Sequence, residues 1–318
     1  MKTLLLTWWA WYIGAHNAVL FLEKWYQVII LDNLSNSSKD VLWNIEKICG
    51  KTPQFYQWDL RNMSDLETVF SENTRDAVVH FAGAKAVSES CDLPFYYYEN
   101  NIIGSINLCK VMEKYAVKNI IFSSSASVYW KVNPSPLTET DHAWDTSNPY
   151  GTTKFIIERL LRDLHEQAWF NVMNLRYFNP VWAHESGFIG EHANQKLGNI
   201  LPFLLRVAKG KQEKIQVFGN DYNTPDWTGV RDYIHVTDLA KWHLSALKYL
   251  ENHSSTYEVI NLWTGKWTSV LELIEFTRNI TWHEIPFEIA ARREIDVESA
   301  YCSTQKAKKL LWWKAEKT

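Results

Sequence analysis

Three side chains that together could move a proton lie at Ser125, Tyr150 and Lys154. Tyr150 and Lys154 are four residues apart, which puts them on one face of a helix. A tyrosine hydroxyl, with a pKa of about 10, is a poor base at neutral pH. A nearby ammonium and the positive charge of an oxidised nicotinamide would favour its phenolate. With Ser125 aligning the same hydroxyl, the set would take a proton from a sugar or alcohol oxygen while hydride leaves the carbon.

The Tyr-x-x-x-Lys spacing alone is weak, because it also suits an exposed helix start. Its context favours the chemical interpretation. The Ser-Asn-Pro triplet at 147–149 is typical of a helix N-terminus, and the serine-rich segment 122–129 (FSSSASVY) ends a predicted strand. Because the carboxyl ends of parallel strands line the ligand crevice of such sheets, we expect Ser125 and Tyr150 to meet there.

The elements that must position these residues alternate between strand and helix. A buried strand over 2–7, a helix over 13–24 and a second strand over 26–31 form a βαβ unit that ends at Asp32. The alternation predicts an α/β fold built on a doubly wound parallel sheet. Its further predicted segments are helices over 64–73, 99–115 and 150–168 and strands over 76–82, 118–123 and 171–177.

In the second half of the chain, strands and helices alternate less regularly. After about residue 180 the loops lengthen, and strand-like segments such as 215–219 and 257–262 are mixed with helices. We therefore predict two tightly joined parts, with the chain crossing between them. The first is a domain over 1–180 that carries the main sheet, and the second is a smaller α/β lobe over 181–318.

Composition excludes several classes of protein. With 318 residues, 46% of them hydrophobic, the chain can bury a large core and is not disordered. A net charge of −3 favours neither nucleic acid nor an anionic membrane as a partner. No apolar run approaches the ~20 residues needed to span a bilayer, and no signal peptide is expected. The four dispersed cysteines predict reduced thiols of a cytoplasmic protein and no metal site.

Taken together, the motifs resemble the extended short-chain dehydrogenase/reductase superfamily and, within it, the UDP-glucose (UDP-galactose) 4-epimerase family. The resemblance extends from Lys2 almost to Lys317 and implies a Rossmann-like fold. At the end of the predicted strand over 118–123, related sugar-nucleotide dehydratases have a sequence similar to Thr-Asp-Glu. The serine-rich segment of this chain therefore distinguishes it from them. The resemblance rests on Ser125, Tyr150 and Lys154 and on the segments 32–37 (DNLSNS), 59–60 (DL), 80–85 (HFAGAK), 100–101 (NN), 177–180 (YFNP), 217–222 (VFGNDY), 229–236 (GVRDYIHV), 292–293 (RR) and Asp296.

The resemblance implies an NAD cofactor and a UDP-hexose substrate. Asp32 would accept hydrogen bonds from the adenosine ribose, and two arginines would suit a diphosphate because their planar forks bond paired oxygens. The residues implied to hold the cofactor are Tyr12, Ile13, Asp32, Asn33, Asn36, Ser37, Asp59, Leu60, Phe81, Ala82, Gly83, Lys85, Asn100, Ser125, Tyr150, Lys154 and Phe178. Those implied to hold the substrate are Ser125, Asn179, Asn199, Ile200, Val217, Phe218, Arg231, Arg293, Asp296 and Ala300.

The resemblance also implies a catalytic cycle and an assembly. Tyr150 would take the proton of the sugar 4-hydroxyl as hydride passes from C4 to NAD⁺, the 4-keto sugar would turn over in the site, and hydride would return to its opposite face. Another NAD-dependent sugar-nucleotide epimerase is the alternative enzyme. A small residue at Ala300 would leave room for an N-acetyl group, unless it is a plain loop alanine. A homodimer would form through helices near 99–115 and 150–168.

Tryptophan is abnormally frequent and abnormally placed. The chain has 17 Trp and 12 Gly, whereas a chain of this length would carry about 22 Gly at the usual ~7%. Trp8, Trp9 and Trp11 occupy the loop where the family has glycines that approach the cofactor pyrophosphate. Further family glycine positions are taken by Trp58, Trp130, Trp182, Trp227, Trp242, Trp263, Trp267, Trp312 and Ile295.

Three explanations of these tryptophans stand open. The recorded sequence could carry a systematic substitution of Trp for Gly, the chain could have been altered, or the indoles could be natural. The last would cost several kcal/mol at each site through strain or overpacking, against a typical total stability of about 5–15 kcal/mol. Two functions follow: an epimerase if Trp stands for Gly, or a chain that binds no cofactor and has no activity if Trp8, Trp9 and Trp11 are real.

Overall fold

The computed structural model describes residues 1–7, 12–81, 83–129, 135–177, 179–191, 199–293, 296–312 and 314–317. Several sequence-based predictions concern residues outside this set. They are those for Trp8, Trp9, Trp11, Ala82, Trp130, Phe178 and Ile295.

The described chain alternates strand and helix through its first half and mixes them in its second. The strands are β1 Thr3–Thr7, β2 Gln27–Leu31, β3 Gln54–Tyr56, β4 Ala77–His80, β5 Asn119–Ser125, β6 Asn171–Tyr177, β7 Asn179–Val181, β8 Ile215–Phe218, β9 Val230–Arg231, β10 Tyr233–His235, β11 Tyr257–Asn261, β12 Thr268–Ser269, β13 Phe287–Ala290 and β14 Ser299–Ala300. The helices are α1 Tyr12–Glu23, α2 Asp40–Cys49, α3 Met63–Glu72, α4 Val87–Asp92, α5 Pro94–Tyr97, α6 Gly104–Lys114, α7 Pro149–Ala168, α8 Ile200–Ala208, α9 Val236–Asn252, α10 Val270–Thr281 and α11 Gln305–Leu311.

A seven-stranded parallel sheet forms the centre of the molecule, in the order β3-β2-β1-β4-β5-β6-β11. Side chains alternate between its two faces, as a strand requires. Leu4 and Leu6 of β1 pack with α1, α2, α9 and α11 on one face, whereas Leu5 packs with α3, α6 and α7 on the other. This confirms the predicted doubly wound, Rossmann-like fold.

The strand order reverses between β1 and β4, where the sheet opens a crevice at its carboxyl edge. Thr7 ends β1 and His80 ends β4, and the Thr7 hydroxyl lies 2.7 Å from His80 Nδ1. Ser125, the last residue of β5, lies at the same carboxyl edge of the sheet. These strand ends define where a ligand of the first domain would bind.

Small sheets complete the second half of the chain. β8 and β13 pair in parallel, β12, β9 and β14 form a three-stranded sheet, and β7 pairs with β10. Helices α8 and α10 cover the β8 side with a separate apolar core that includes Leu204, Val217 and Ile274. None of the helices in the described residues combines the length and apolar character needed to cross a bilayer.

Two predicted segments differ from the structure. The helix predicted over 99–115 begins as a π-helical turn, Tyr98–Ile103, before α6 continues it. The strand predicted to end at 123 continues to Ser125, because β6 pairs with it residue by residue up to Tyr177. The sequence analysis did not identify α2 or α9, whose apolar positions pack on the first face of the sheet.

Tryptophans occupy backbone conformations that favour glycine. Nine non-glycine residues among those described have a φ between 51° and 72°, and six of them are Trp25, Trp169, Trp182, Trp227, Trp282 and Trp312. Three of these six cap the C-termini of α7, α10 and α11 in the left-handed region. Helix α2 ends in the same conformation with Gly50, at φ 67°, which is the usual residue at such a cap.

Candidate active site

The proposed proton-transfer residues converge where β5 ends and α7 begins. Asn148 caps α7, its Oδ1 accepting a hydrogen bond from Gly151 N at 2.9 Å, and Pro149 occupies the first turn. This start presents Tyr150 to the strand end, where the Ser125 side chain acts on the tyrosine hydroxyl and lowers its pKa. The structure therefore brings together the pair that the sequence places 25 residues apart.

Gly151 is what allows this approach. A Cβ at this position would lie 2.4 Å from the Ser127 carbonyl oxygen, a separation that forces the backbone to move. The first turn of α7 therefore packs directly on the 3-10 turn Ala126–Val128 that follows Ser125. Only glycine fits between the two segments.

Lys154 lies one helical turn after Tyr150 and is buried. Its Nζ donates to the Ser123 carbonyl at 2.8 Å and lies 5.9 Å from the Tyr150 ring centroid. Burial lowers the pKa of Lys154 to about 7, opposed by the nearby carboxylate of Glu158. Burial raises the pKa of Tyr150 to about 12, opposed by its hydrogen bond with Ser125. The oxidised nicotinamide of the sequence-based expectation would add a second cation, which would lower the tyrosine pKa.

Asn101 joins the strand ends to α7. Its Oδ1 accepts from Ala84 N at 2.7 Å, and its Nδ2 donates to Thr153 Oγ1 at 3.0 Å. Asn100 beside it donates to Asn101 Oδ1 at 3.1 Å. Gly83 has a φ of 143°, and a Cβ at this position would lie 3.2 Å from the Asn101 side-chain amide. The missing side chain therefore leaves room for Asn101. These contacts hold the loop after β4 next to the catalytic helix.

The predicted adenosine end forms a pocket. Asp32 ends β2 buried, its carboxylate accepting from Leu34 N at 2.7 Å and from Ser37 Oγ at 3.1 Å. Asn33 Nδ2 donates to Asp59 Oδ2 at 3.0 Å. The pocket is lined by Leu31, Asp32, Asn33, Trp58, Asp59, Leu60 and Asn100. A buried carboxylate at a strand end beside this pocket fits the ribose hydroxyls of a dinucleotide.

Arg61, which the sequence analysis did not single out, pairs with the pocket residue Asp59. Its guanidinium forms a two-pronged contact with Asp59, with Nη2 2.7 Å from Oδ2 and Nε 3.0 Å from Oδ1. The hydrogen bonds with Arg61 lower the pKa of Asp59 to about 2. The Asp-x-Arg spacing in the sequence was the available signal.

Apart from Lys85, the remaining predicted cofactor residues within the described chain are Tyr12, Ile13, Phe81 and Asn36. Tyr12 is buried and its hydroxyl donates to the Trp182 carbonyl at 2.6 Å, and Ile13 follows it in α1. The Phe81 ring lies 5.1 Å from that of His243. Asn36 is half-buried beside Ser37.

Lys85 and Glu191 connect the crevice to the second lobe. Lys85 Nζ lies 3.4 Å from Glu191 Oε1, and Asn199 Nδ2 donates to the same oxygen at 3.2 Å. Burial lowers the pKa of Lys85 to about 8, opposed by the Glu191 carboxylate. A predicted cofactor residue and a predicted substrate residue therefore share one carboxylate, which the sequence analysis did not identify.

Five of the predicted substrate residues lie on β8, on β9 and in the loop after β13. Arg293 lies with its guanidinium 4.5 Å from the Phe218 ring centroid, and its Nε donates to Asp296 at 2.8 Å. Val217 is buried on β8. Ile200 begins α8, and Asn179 Nδ2 donates to the Asp232 carbonyl at 3.2 Å.

The charges of three arginines act on Tyr222. Arg292 lies 3.9 Å from its centroid, and the charges of Arg231, Arg292 and Arg293 all act to lower the tyrosine pKa, although burial dominates and raises it. Burial lowers the pKa of Arg231. Three cations close together favour an anionic ligand such as a diphosphate. Arg292 entered the sequence analysis only as part of a motif, and the structure adds it to this group.

Ala300 is buried in β14, paired in register with Arg231 of β9. Its carbonyl accepts a hydrogen bond from Asp232 N at 3.4 Å. Asp232 in turn accepts from Thr264 N and Gly265 N at 3.1 and 2.8 Å. The position predicted to face the sugar therefore belongs to the same small sheet as a predicted diphosphate residue.

Across the described residues, no three His, Cys, Asp or Glu side chains come together in a way that could hold a metal ion. The site instead combines a Ser–Tyr–Lys set at the sheet edge, a pocket beside Asp32 and a group of arginines in the second lobe. These features define the class of extended short-chain dehydrogenase/reductases.

Comparison with known proteins narrows the class. The profile of the GDP-mannose 4,6 dehydratase family matches residues 5–318. The UDP-glucose 4-epimerase of Bacillus subtilis is 47% identical over 316 residues, covering 99% of this chain and 92% of that protein. The chain belongs to this family of extended short-chain dehydrogenase/reductases, among its UDP-glucose 4-epimerases.

Solved structures agree with this placement. The Bifidobacterium longum UDP-glucose 4-epimerase, in complex with NAD⁺ and UDP, has a TM-score of 0.95 at 45% identity, covering 100% of this chain and 94% of that one. The Stenotrophomonas maltophila enzyme, with bound NAD and formylated UDP-arabinopyranose, has a TM-score of 0.97 at 40% identity and the same coverage. Both neighbours hold a dinucleotide and a uridine nucleotide.

Proposed function

We propose that this protein is an NAD-dependent isomerase that interconverts UDP-glucose and UDP-galactose, and that it serves galactose metabolism. The observation that carries the proposal is the meeting of Ser125, Tyr150 and Lys154 at the carboxyl edge of the sheet. The names and ligands of the relatives support the same reaction. NAD, held along the crevice from Asp32 to Lys154, supplies a hydride acceptor and donor when bound.

The chain's own residues perform the proton chemistry. Tyr150 takes the proton of the sugar 4-hydroxyl and later returns it, Ser125 aligns that oxygen, and the Lys154 ammonium stabilises the phenolate. Asn179, Asn199 and the arginines Arg231 and Arg293 keep the uridine diphosphate in place. The anchored nucleotide leaves the sugar free to present its opposite face before the proton is returned.

A second candidate remains for the chain with indoles at Trp8, Trp9 and Trp11. Bulky side chains in this loop would cover the helix N-terminus that stabilises a pyrophosphate. The chain would then bind no cofactor and have no activity.

One experiment separates the two candidates. The chain as it stands and its Trp8→Gly/Trp9→Gly/Trp11→Gly variant are assayed for NAD retention and for conversion of UDP-galactose to UDP-glucose. Tyr150→Phe in the glycine variant should lower turnover by at least 10²–10⁴-fold, because the general base is lost, while NAD stays bound. Near-full turnover by Tyr150→Phe would overturn the assignment of the base.

Substrate breadth, assembly and location complete the proposal. The small Ala300 side chain supports acceptance of UDP-GlcNAc and UDP-GalNAc as well. We propose the division into 1–180 and 181–318, with α9, β11 and α11 of the second part returning to the main sheet. The four unpaired cysteines support a cytoplasmic location. Neither nucleic acid nor membrane is proposed as a partner.

Exposed apolar side chains before α6 support a homodimer. Phe95 is 84% exposed and Ile103 45% exposed, on the segment that leads into α6. Leu93, Tyr96 and Tyr98 are also exposed there. This surface adjoins the helices through which the sequence analysis predicts pairing, and a second copy of the chain would cover it.

A further inference from the structure

A buried ion pair lies directly behind the catalytic helix. Glu158, one turn after Lys154 on α7, and Arg176 on β6 are 3% and 4% exposed. Arg176 Nη2 lies 2.6 Å from Glu158 Oε2 and its Nε 2.9 Å from Oε1, which is a two-pronged contact. The sequence analysis assigned neither residue a role.

The same carboxylate also binds the strand that carries Ser125. The Ser124 hydroxyl donates to Glu158 Oε1, and the Arg176 guanidinium lies 4.8 Å from the Tyr129 ring centroid. The Tyr129 hydroxyl donates to Asn261 at 2.6 Å. One carboxylate thus links α7 with the ends of β5 and β6, and through them with β11.

A buried ion pair seldom persists for stability alone, because well-packed apolar side chains are often as good or better. We propose that Glu158 and Arg176 are positioning residues for the proposed epimerase reaction. They hold α7 against the ends of β5 and β6, and the Glu158 carboxylate favours the charged form of Lys154 beside Tyr150.

The charges around Lys154 agree with this role. Glu158 is the carboxylate that opposes the effect of burial on the Lys154 pKa. The other titratable groups facing the catalytic pair are His80 on β4, which Lys154 helps to keep neutral, Tyr177 on β6 and Tyr97 on α5. Among the described residues, Glu158 is the carboxylate whose charge acts on Lys154.

The test reads Lys154 directly and needs neither cofactor nor turnover. Protein carrying ¹³Cε-labelled lysine is titrated by NMR, with Lys154→Ala identifying the signal. Glu158→Gln should lower the Lys154 midpoint by roughly one pH unit, because it removes an opposite charge. Glu166→Gln is the matched control, since Glu166 pairs with Arg162 on the exposed face of the same helix, and it should leave the midpoint unchanged.

A double variant keeps the test valid if Glu158→Gln fails to fold. Glu158→Leu/Arg176→Met removes both charges at once, a replacement that buried pairs often tolerate, and it should also lower the Lys154 midpoint. An unchanged midpoint in either folded variant overturns the positioning role. A shifted midpoint in a protein without epimerase activity would contradict the proposed function and leave the positioning role intact.

A second inference rests on the left-handed tryptophans. An L-residue with a Cβ loses about 1–2 kcal/mol in this conformation. Four of the six, Trp25, Trp169, Trp282 and Trp312, are also 73–91% exposed, so the indole gains little burial in exchange. A natural chain that placed its largest side chain at exposed helix caps would gain nothing from it.

We infer that the residues at positions 25, 169, 182, 227, 282 and 312 are glycine in the protein as its source cell makes it. One codon translated as Trp in the sequence and as Gly in the cell accounts for all six positions together. It also accounts for the shortage of glycine and the excess of tryptophan. The loop at Trp8, Trp9 and Trp11 would then carry glycine as well.

Peptide mass spectrometry of the protein from its source cell tests this inference. Peptides that cover positions 169, 282 and 312 should have the mass expected for glycine. Detection of tryptophan there would overturn the inference. Recombinant variants give an independent arm: Trp169→Gly should raise the unfolding midpoint, while Trp43→Gly, at an exposed site within right-handed α2, should lower it. The opposite order would contradict the strain on which the inference rests.

Discussion

At the scale of single residues, burial sets the chemistry of the site. It raises the pKa of Tyr150 and lowers that of Lys154, so each group is held toward its neutral form. A site prepared in this way responds strongly to an added charge, because the low-dielectric surroundings screen little. A positive charge that binds next to Tyr150 therefore lowers the pKa of its hydroxyl strongly and favours its role as proton acceptor.

The pH dependence of folding should reveal the buried ammonium. The pKa of Lys154 is about 7 in the folded protein and about 10.4 in an unfolded chain. Between these values the unfolded chain binds more protons, so folding stability rises with pH. Relative to Lys154→Met, the wild type should gain on the order of 1–2 kcal/mol from pH 7 to 9.

Urea unfolding of both proteins at the two pH values measures this gain. Lys110→Met, at an exposed position on α6, is the control and should show a constant difference from the wild type. A constant difference for Lys154→Met too would mean that its ammonium is not buried in solution.

Ala300 should set substrate breadth. In the glycine-restored enzyme, Ala300→Tyr should lower kcat/KM on UDP-GlcNAc about 10-fold or more, because a phenol ring fills the space of the acetamido group. The value on UDP-galactose should change little. Side-by-side assays on both sugar pairs measure the effect. If the unchanged pocket already rejects the acetylated pair, or the tyrosine variant accepts it equally, Ala300 is not the gate.

At the scale of elements, the start of α7 is the most constrained junction of the site. The capping amide of Asn148 and the missing side chain of Gly151 together place Tyr150 against Ser125. Any change that lifts the first turn of this helix separates the two hydroxyls.

Gly151→Ala tests this junction. The Cβ of this variant would lie 2.4 Å from the Ser127 carbonyl oxygen, so the variant should lose about 1–3 kcal/mol of stability through overpacking. It should lower turnover by a larger factor than it weakens cofactor binding. Gly50→Ala is the control: its Cβ meets no atom within 4 Å, and it should lose only about 1 kcal/mol from its left-handed backbone. Chemical denaturation and steady-state kinetics give both numbers, and equal effects would refute the close contact.

The sequence predicts these elements unevenly. The apolar run that became β1 and the Tyr150–Lys154 spacing are local patterns, and the fold and the Ser–Tyr–Lys cluster follow from them. The Glu158–Arg176 pair could not be predicted, because its partners meet only after α7 packs on β6. Likewise, Glu191 acquires its meaning only when Lys85 and Asn199 reach it from different parts of the chain.

At the scale of the whole molecule, the exposed apolar surface before α6 predicts the assembly. Light scattering should give the mass of a dimer. Phe95→Asp should give a monomer, because a charge would be buried in the interface. Phe276→Asp changes another exposed aromatic residue, on α10, and should leave the dimer intact. A monomeric wild type, or a dimer that survives Phe95→Asp, would contradict this surface.

The return of β11 to the main sheet has a consequence for how the protein is made. Until residue 261 has left the ribosome, the nascent chain holds β6 as an open sheet edge with unpaired backbone groups. Such an edge can capture strands of neighbouring nascent chains. Translation that stalls between residues 177 and 257 should therefore yield an aggregation-prone chain. Prompt synthesis of the second half prevents this, because β11 then pairs with β6.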